Sequence, residues 1–192
     1  MKDRIEQIRQ MFRDRGGSQY GGEAVTQSEH ALQAAQLAEA AGADAPLIAA
    51  ALLHDVGHLL HDLPDDAPNR GVDDAHEANA ARWLAGWLPP ETVEPVRLHV
   101  AAKRYLCATD PVYHSRLSAP SIQSLKLQGG PMTEAQVAAF RESPFFRAAL
   151  RLRVWDEAAK VPRLPTPDVD HFMANVKLAA TLVQRGVRQE RA

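Results

Sequence analysis

The chain has 192 residues, 45% of them hydrophobic, and its 22 Lys and Arg residues nearly balance 24 Asp and Glu residues. This length suits one globular domain, and the balanced charge argues against a nucleic-acid partner. The single cysteine, Cys107, excludes an internal disulfide and a cysteine-rich zinc module. No apolar run approaches the roughly 20 residues of a membrane span, and the charged N-terminus lacks the apolar core of a signal peptide, so we expect a cytoplasmic protein with no membrane partner.

Helical spacing of apolar residues dominates the N-terminal part of the chain. A first helix is predicted to end before Gly16, and a capping box at 26–29 opens a second helix that stops at Gly42. Asp44-Ala45-Pro46 is predicted to start the next helix, since proline is tolerated in a first turn. The nearly apolar run 47–60 that follows is predicted to be one buried central helix, although it contains two histidines and an aspartate. The polar segment 62–73, rich in Pro and Gly, is predicted to be a loop.

The rest of the chain continues the helical pattern. Further helices are predicted from Asp74 to Pro89, at 91–106, at 121–127, from a second capping box at 133–136, at 143–160, and from Asp168 onward. The segment 107–120 is predicted to be an ordered loop, because it carries Val112, Tyr113 and Leu117. With no strand alternation and no repeat, the sequence predicts an all-α fold of about eight helices in an irregular helical bundle.

The most apolar predicted helix is interrupted by the adjacent pair His54 and Asp55. Burial of an ionised aspartate costs several kcal/mol unless a partner compensates its charge, and a metal ion does so by taking both side chains as ligands. The candidate ligands on five predicted helices are His30, His54, Asp55, His76, His99 and Asp156. Imidazole and carboxylate donors suit iron, manganese or zinc. Six donors are more than one catalytic metal normally uses, and two metals bridged by Asp55 would use them all.

The residues alone leave a plainer interpretation open. A lone histidine in a helix is usually packed or hydrogen-bonded rather than a ligand, and scattered histidines can coincide by chance. Pattern and spacing therefore support a metalloenzyme, but they do not identify its reaction. Histidines outside the ligand pattern are predicted to lie on the surface and the tryptophans in the core; they are His61, His114 and His171, and Trp83, Trp87 and Trp155.

The order His30, His54-Asp55, Asp156 resembles the HD-domain superfamily, whose signature is H…HD…D. Two longer stretches, HVAAKRYL at 99–106 and QGGPM at 128–132, resemble more closely the mixed-valent di-iron phosphonate oxygenases of that superfamily. The resemblance covers roughly residues 18–175 and implies that 1–192 is a single HD domain with an all-α fold of the HD type.

The resemblance implies a cofactor and a reaction. The cofactor is two iron ions, Fe(II) and Fe(III), held by the six candidate ligands with Asp55 bridging, and molecular oxygen is the co-substrate. The implied reaction cleaves the C–P bond of a small organophosphonate of the 1-hydroxy-2-aminoethylphosphonate type. Its products are phosphate and a carboxylate, which is glycine or an N-methylated glycine such as glycine betaine. An α-hydroxylating partner enzyme would supply the substrate.

The same resemblance implies a shell of residues around the substrate. Catalytic roles fall to Tyr20, Glu23 and His58, and substrate contacts to Glu23, His58, Lys103, Ser121, Ser124 and Arg153. Tyr20 resembles a residue that occupies an iron position before substrate binds, and Glu23 one that contacts the substrate's amino group. Lys103 follows His99 by one helical turn, so its cation is placed for the charge-assisted hydrogen bonds that a phosphonate needs. Without the resemblance, Lys103 would be interpreted as part of a solvated helix face and Ser121 as a helix cap.

Two other functions compete with an oxygenase. One is an HD-domain phosphohydrolase that uses a metal to activate water against a phosphate ester, and His76, His99 and the stretch 99–106 argue against it. The other is a degenerate HD domain that senses a ligand without catalysis, and the complete set of six candidate ligands argues against that.

Overall fold

A computed structural model describes residues 2–60 and 74–189. Within these ranges the chain is helical and contains no strand, which confirms the all-α class. The helices are α1 (Lys2–Arg15), α2 (Gln27–Ala40), α3 (Ala45–Leu53), α4 (Val56–Leu59), α5 (His76–Leu84), α6 (Pro90–Thr109), α7 (Pro111–Ser115), α8 (Ala119–Leu127), α9 (Glu134–Arg141), α10 (Phe146–Ala158) and α11 (Val169–Gln189). None of these helices combines the length and the apolar character that a membrane crossing requires.

Helix α3 lies at the centre of the bundle. Its residues 46–53 are all buried, and it packs against α2, α6, α10 and α11. The buried face of α2 is small, with alanines at 31, 34, 35 and 38, which lets the two helices approach closely. Asp44 caps α3 by accepting from the backbone N–H of Leu47, and Pro46 lies in the first turn, as predicted.

The prediction of one helix over 47–60 is wrong. Helix α3 ends at Leu53, and the chain leaves helical geometry at Asp55, where φ is −102° and ψ is 11°. The short helix α4 then lies against the start of α5. A Cβ on Gly57 would lie 2.1 Å from the carbonyl oxygen of His76, so only glycine permits this approach. His54 and Asp55 therefore occupy a turn between two helices inside the core.

The prediction of a loop over 107–120 is also wrong. Helix α6 continues to Thr109, α7 follows, and α8 begins at Ala119. Asp110 caps α7 by accepting from the N–H groups of Val112 and Tyr113, and Ser118 caps α8 in the same manner. Each cap has a proline in the first turn of its helix. A capping side chain followed by a proline in the first turn also predicts the start of α3, so the sequence contained the same information for α7 and α8.

The two predicted capping boxes are confirmed, and the first one closes a structured loop. Thr26 accepts from the backbone of Glu29 at 3.1 Å, and the Glu29 carboxylate accepts from the Thr26 N–H at 2.8 Å. In the preceding loop, residues 18–26, the Tyr20 N–H donates to the Val25 carbonyl at 3.0 Å. This loop carries Tyr20 and Glu23 to the site. The predicted loop 62–73 and His61 lie outside the described residues.

Candidate metal centre

Two clusters of ligand-type side chains lie next to each other in the core. One consists of His30, His54 and Asp156, and the other of Asp55, His76 and His99. Within each cluster the potential ligand atoms lie within 4.8 Å of one another, and all six residues are buried. Helices α2, α5, α6 and α10 and the α3–α4 turn supply them. The fold thus brings together the six candidate ligands predicted from the sequence.

Asp55 lies between the two clusters, and each of its carboxylate oxygens faces one of them. Oδ2 is 3.5 Å from Nε2 of His30 and 3.3 Å from Nε2 of His54. Oδ1 is 3.4 Å from Nε2 of His76 and 3.4 Å from Nε2 of His99. A carboxylate that presents one oxygen to each histidine pair has the arrangement of a ligand shared by two metal ions.

The four histidines are held in one tautomer by acceptors behind their rings. Each Nδ1 lies 2.7–2.9 Å from an oxygen, and the four acceptors are Ala159 O, Ala51 O, Asp74 Oδ1 and Val96 O for His30, His54, His76 and His99 in turn. Because these oxygens only accept, each Nδ1 donates a proton to its oxygen, and Nε2 is the nitrogen that faces the cluster. The facing Nε2 atoms are 3.0 Å apart in one pair and 3.1 Å apart in the other. At most one proton fits between two nitrogens this close, whereas a metal ion would take both as ligands.

The carboxylates in the clusters lack the hydrogen bonds that buried oxygens require. Among the described residues, no donor reaches either oxygen of Asp55 or Oδ1 of Asp156. Burial opposes ionisation, but His54 and His30 hold the pKa of Asp55 well below its usual range, and Arg153 and His54 lower that of Asp156. Buried anionic oxygens beside imidazole lone pairs fit metal cations with nitrogen and oxygen preference, and iron is one of these.

A cavity of about 270 Å³ opens beside the second cluster. Its lining contains His76, His99 and Asp156 together with every substrate-shell residue predicted from the sequence: Tyr20, Glu23, His58, Lys103, Ser121, Ser124 and Arg153. His30, His54 and Asp55 are not part of this lining. A ligand in the cavity would therefore approach the centre from the side of His76, His99 and Asp156.

Lys103 is a buried cation without a carboxylate partner among the described residues. Only 3% of the residue is exposed, and its Nζ donates to Oγ of Ser124 at 2.9 Å. Burial, helped by the charge of Arg153, lowers the pKa of Lys103 to about 8. A buried ammonium group that lines a cavity is stabilised by an anion bound there, so this wall fits an anionic ligand.

Arg153 is buried behind Asp156 and is tied to three side chains. Its guanidinium donates to Oδ2 of Asp156 and to the carboxylate of Glu157, and its Nε donates to the hydroxyl of Tyr113 at 2.6 Å. Arg153 therefore supports a candidate ligand as well as lining the cavity. Tyr113 is not among the predicted site residues, because the segment 107–120 that contains it is predicted to be a loop.

Lys160 is a further cation close to the site, and it is not among the site residues predicted from the sequence. Its Nζ lies 3.1 Å from Oε1 of Glu23 and 2.9 Å from Oε1 of Glu157, and it donates to Oγ of Ser121 at 2.8 Å. The hydroxyl of Ser118 also donates to Glu23. Lys160 lies two residues beyond the end of α10, so helical spacing from Asp156 does not point to it.

Two aromatic rings cover the clusters from the cavity side. Tyr20 stacks on His30, with ring centroids 3.8 Å apart, and His58 stacks on His76 at 4.1 Å. Burial, followed by the charges of Asp55 and Asp156, raises the pKa of the Tyr20 hydroxyl well above its usual value. His58 is held by Asp74, whose Oδ2 lies 2.6 Å from its Nδ1. Both rings therefore have fixed orientations above candidate ligands.

The described histidines and tryptophans that were predicted to lie outside the site belong to none of the clusters described above. Trp155 is buried, and Trp83 and Trp87 pack half-buried against the core. His171 is exposed and hydrogen-bonded to Glu39, and His114 is half-buried on α7 rather than fully on the surface. Neither histidine belongs to a cluster of metal-ligand type.

Comparison with known proteins finds one matching family model and three similar proteins. The HD domain family model matches residues 28–127. Hydroxymethylphosphonate dioxygenase of Gimesia maris is 43% identical over 176 residues, which is 91% of this chain and 87% of the relative. The glycine-betaine-forming [1-hydroxy-2-(trimethylamino)ethyl]phosphonate dioxygenase of Leisingera caerulea is 44% identical over 183 residues, 95% of this chain and 90% of the relative. An uncharacterised mimivirus protein, L432, is 33% identical over 171 residues, 88% of this chain and 78% of its own.

Proposed function

The chain belongs to the HD-domain family, and we propose that it is an iron-dependent oxygenase that cleaves the C–P bond of a 1-hydroxyphosphonate. The relatives named as phosphonate dioxygenases are 43% and 44% identical over most of the chain, which supports an enzyme of this class. The observation that carries the proposal is the position of Asp55, between two histidine pairs and close to a cavity that contains a buried, uncompensated lysine. The phosphohydrolase alternative is not favoured by these relatives.

The proposed reaction balances with one molecule of oxygen. The substrate R–CH(OH)–PO₃H₂ and O₂ give R–COOH and H₃PO₄. The C–H and C–P bonds at C1 break, C1 is oxidised to a carboxylic acid, and both atoms of O₂ are reduced. No further reductant is needed, and the phosphorus leaves as inorganic phosphate.

We further propose two iron ions in a mixed-valent state. One would be held by His30, His54, Asp156 and one oxygen of Asp55, and the other by His76, His99 and the second oxygen of Asp55. When bound, the pair supplies the redox chemistry by which O₂ is reduced and C1 oxidised. The protein contributes the four fixed imidazole tautomers and the shared carboxylate, which set the spacing of the two ions.

The cationic wall of the cavity is proposed to hold the phosphonate. Lys103 faces it as an ammonium group, with the hydroxyls of Ser124 and Ser121 as further donors. Arg153 adds positive charge behind Asp156. Each charge-assisted hydrogen bond contributes about 1.5–3 kcal/mol, so together they can fix the phosphonate and thereby place C1 over the metal centre.

Three residues are proposed to act near the reacting carbon. Tyr20 covers the first cluster through its stack on His30, and its hydroxyl would be a ligand that the substrate displaces if it occupied a metal position in the free enzyme. His58, oriented by Asp74, is proposed to bind the substrate's oxygen atoms. Glu23 is proposed to lie beside the substituent on C1.

The supplying enzyme, the location in the cell and the extent of the HD domain stay predictions. The enzyme that supplies the substrate is expected to hydroxylate a phosphonate at C1, because the reaction starts from a C1 hydroxyl. The cytoplasmic location and the extent of the HD domain over 1–192 also stay predictions; the family model itself covers 28–127.

The decisive experiment measures oxygen and phosphate in the same reaction. Iron-loaded enzyme with 1-hydroxyphosphonates should consume one O₂ for each phosphate released, and an anaerobic reaction should release none. Phosphate release from a phosphate ester at equal rates with and without oxygen would instead identify a hydrolase. A metal-free protein after iron-replete anaerobic purification would favour a ligand sensor.

A further inference from the structure

The carboxylate that would recognise an amine on the substrate is already neutralised by the protein. Glu23 lines the cavity, but its Oε1 lies 3.1 Å from Nζ of Lys160 and also accepts from the hydroxyl of Ser118. The side chains of Glu23 and Lys160 are both largely buried, with 13% and 12% exposed, so solvent screens this ion pair little. The pair presents little net charge to the cavity.

Lys160 is fixed in this position by two further contacts. Its Nζ lies 2.9 Å from Glu157 and donates to Ser121 at 2.8 Å. It therefore joins the end of α10 to α8 and to the loop 18–26. An ammonium group that approached Glu23 would meet Lys160 as a like charge at close range, and such a juxtaposition costs several kcal/mol in a desolvated site.

The remaining carboxylates on the described cavity wall are also engaged. Asp74 contacts His58 at 2.6 Å and His76 at 2.9 Å. Asp156 belongs to the first cluster and accepts from Arg153. Neither carboxylate can meet a substrate cation without giving up a contact that holds the metal centre or the ring of His58.

The described wall also lacks the aromatic cage that a quaternary ammonium group requires. Tyr20 is its one phenol or indole ring, and one face of that ring is covered by His30 at 3.8 Å. The other rings on this wall are the imidazoles His58, His76 and His99. Lys103 and Arg153 make the surroundings cationic, which suits the phosphonate end of a substrate and disfavours a cationic end.

We propose that Lys160 is a specificity-determining residue, which neutralises Glu23 and makes the enzyme select 1-hydroxyphosphonates whose C1 substituent carries no positive charge. Hydroxymethylphosphonate, with hydrogen as the substituent, is the simplest member of that class. The inference rests on the proposed oxygenase function and narrows its substrate. It also departs from the aminoethyl type of substrate that the resemblance implies; the sequence leaves the C1 substituent open, because the contact between Glu23 and Lys160 cannot be read from it.

The test compares three substrates on the iron-loaded wild-type enzyme. Oxygen uptake and phosphate release are measured with hydroxymethylphosphonate, 1-hydroxy-2-aminoethylphosphonate and 1-hydroxy-2-(trimethylamino)ethylphosphonate. We expect kcat/KM for the first to exceed both others by roughly tenfold or more, as expected for a like-charge penalty above 1.4 kcal/mol. Equal or higher kcat/KM for either cationic substrate would overturn the proposal. Turnover of none of the three would refute the proposed function itself, which is a distinguishable result.

The variant Lys160→Met tests whether this residue sets the preference. Methionine keeps most of the aliphatic length and removes the charge, so Glu23 becomes available to an ammonium group. In a mixture of hydroxymethylphosphonate and 1-hydroxy-2-aminoethylphosphonate, the product ratio should shift toward glycine by roughly tenfold. A ratio equal to that of the wild type would overturn the role of Lys160.

Two controls keep this result interpretable. The product ratio is measured within one reaction and does not depend on the fraction of enzyme that is folded or iron-loaded. Lys126→Met, at an exposed position on α8, should leave the ratio unchanged, whereas Lys160→Arg, which keeps the charge, should retain the wild-type preference. A loss of preference in Lys160→Arg equal to that in Lys160→Met would contradict an effect of charge.

Discussion

Arg153 and Asp156 lie one turn apart on α10, and the arginine donates to the Oδ2 atom of the aspartate. Oδ1 of the same carboxylate has no donor among the described residues and faces His30 at 3.5 Å. One oxygen is thus fixed by the protein, and the other is directed toward the first cluster. The arginine therefore links the wall of the cavity to the position of a candidate metal ligand.

Replacement of Arg153 is expected to affect both iron binding and turnover. Arg153→Ala leaves the buried Asp156 carboxylate without its hydrogen-bond donor, so iron content should fall, and kcat/KM should drop by roughly a hundredfold. Iron per chain and oxygen uptake measure the two effects. Arg151→Ala is the matched control, since Arg151 is exposed on the same helix and lies over the Trp155 ring at 5.1 Å. Full iron content in Arg153→Ala would show that the arginine acts on substrate alone.

Asp55 is expected to be required for both metal ions. Among the described residues, Asp55 is the one carboxylate that faces both histidine pairs. In Asp55→Ala, iron should therefore fall well below the two ions per chain expected for the wild type, and activity should be lost. After partial oxidation, the wild type should show an EPR signal from a coupled Fe(II)/Fe(III) pair, and the variant should not. Asp170→Ala, at an exposed carboxylate on α11, is the control. A single tightly bound zinc in the wild type, with no iron uptake on reconstitution, would disprove the di-iron centre.

Lys103 is expected to act on substrate and not on metal. Lys103→Met should lower kcat/KM by roughly ten- to a hundredfold, because one charge-assisted hydrogen bond contributes about 1.5–3 kcal/mol. Iron content should equal that of the wild type, since an ammonium group is not a ligand. Lys126→Met should change neither quantity. Unaltered kcat/KM in Lys103→Met would remove this residue from the phosphonate site.

The same lysine predicts a pH dependence. Burial lowers the pKa of Lys103 to about 8, so the free enzyme carries the ammonium group below that pH and loses it above. We therefore expect kcat/KM to decline above about pH 8, because an anionic substrate then meets a neutral amine. The residual activity of Lys103→Met should lack this decline. A decline of equal size in the variant would assign it to another group or to the substrate.

Gly57 is expected to be indispensable for the second cluster. The Cβ of Gly57→Ala would lie 2.1 Å from the backbone oxygen of His76, so α4 and α5 must move apart. Overpacking of this kind costs about 1–3 kcal/mol, which lowers Tm by several degrees, and iron content should fall because His76 is displaced. Gly17→Ala is the control, since nothing lies within 4 Å of a Cβ there. Equal Tm and iron content in the two variants would refute the close approach.

The class of fold and the candidate ligands could both be predicted from local features of the sequence. Helical periodicity, two capping boxes and the Asp44 cap place most helix starts correctly, because caps are local interactions between residues a few positions apart. The His54-Asp55 pair within an apolar run indicated a metal, because a buried carboxylate needs compensation wherever it lies. The resemblance to the HD domain then led to the enzyme class that the relatives support.

The contacts between these residues depend on the packing of segments that are distant in the sequence. The turn at Asp55 depends on the contact between Gly57 and the backbone of His76. The local sequence of the run 47–60 does not predict this turn. The ion pair of Glu23 with Lys160 joins a loop near the N-terminus to the end of α10. Helical spacing shows which residues share a face, but the partner of a buried charge is set by packing between distant segments. The assignment of a counter-ion to Glu23, and with it the preference for a neutral substituent, therefore comes from the fold.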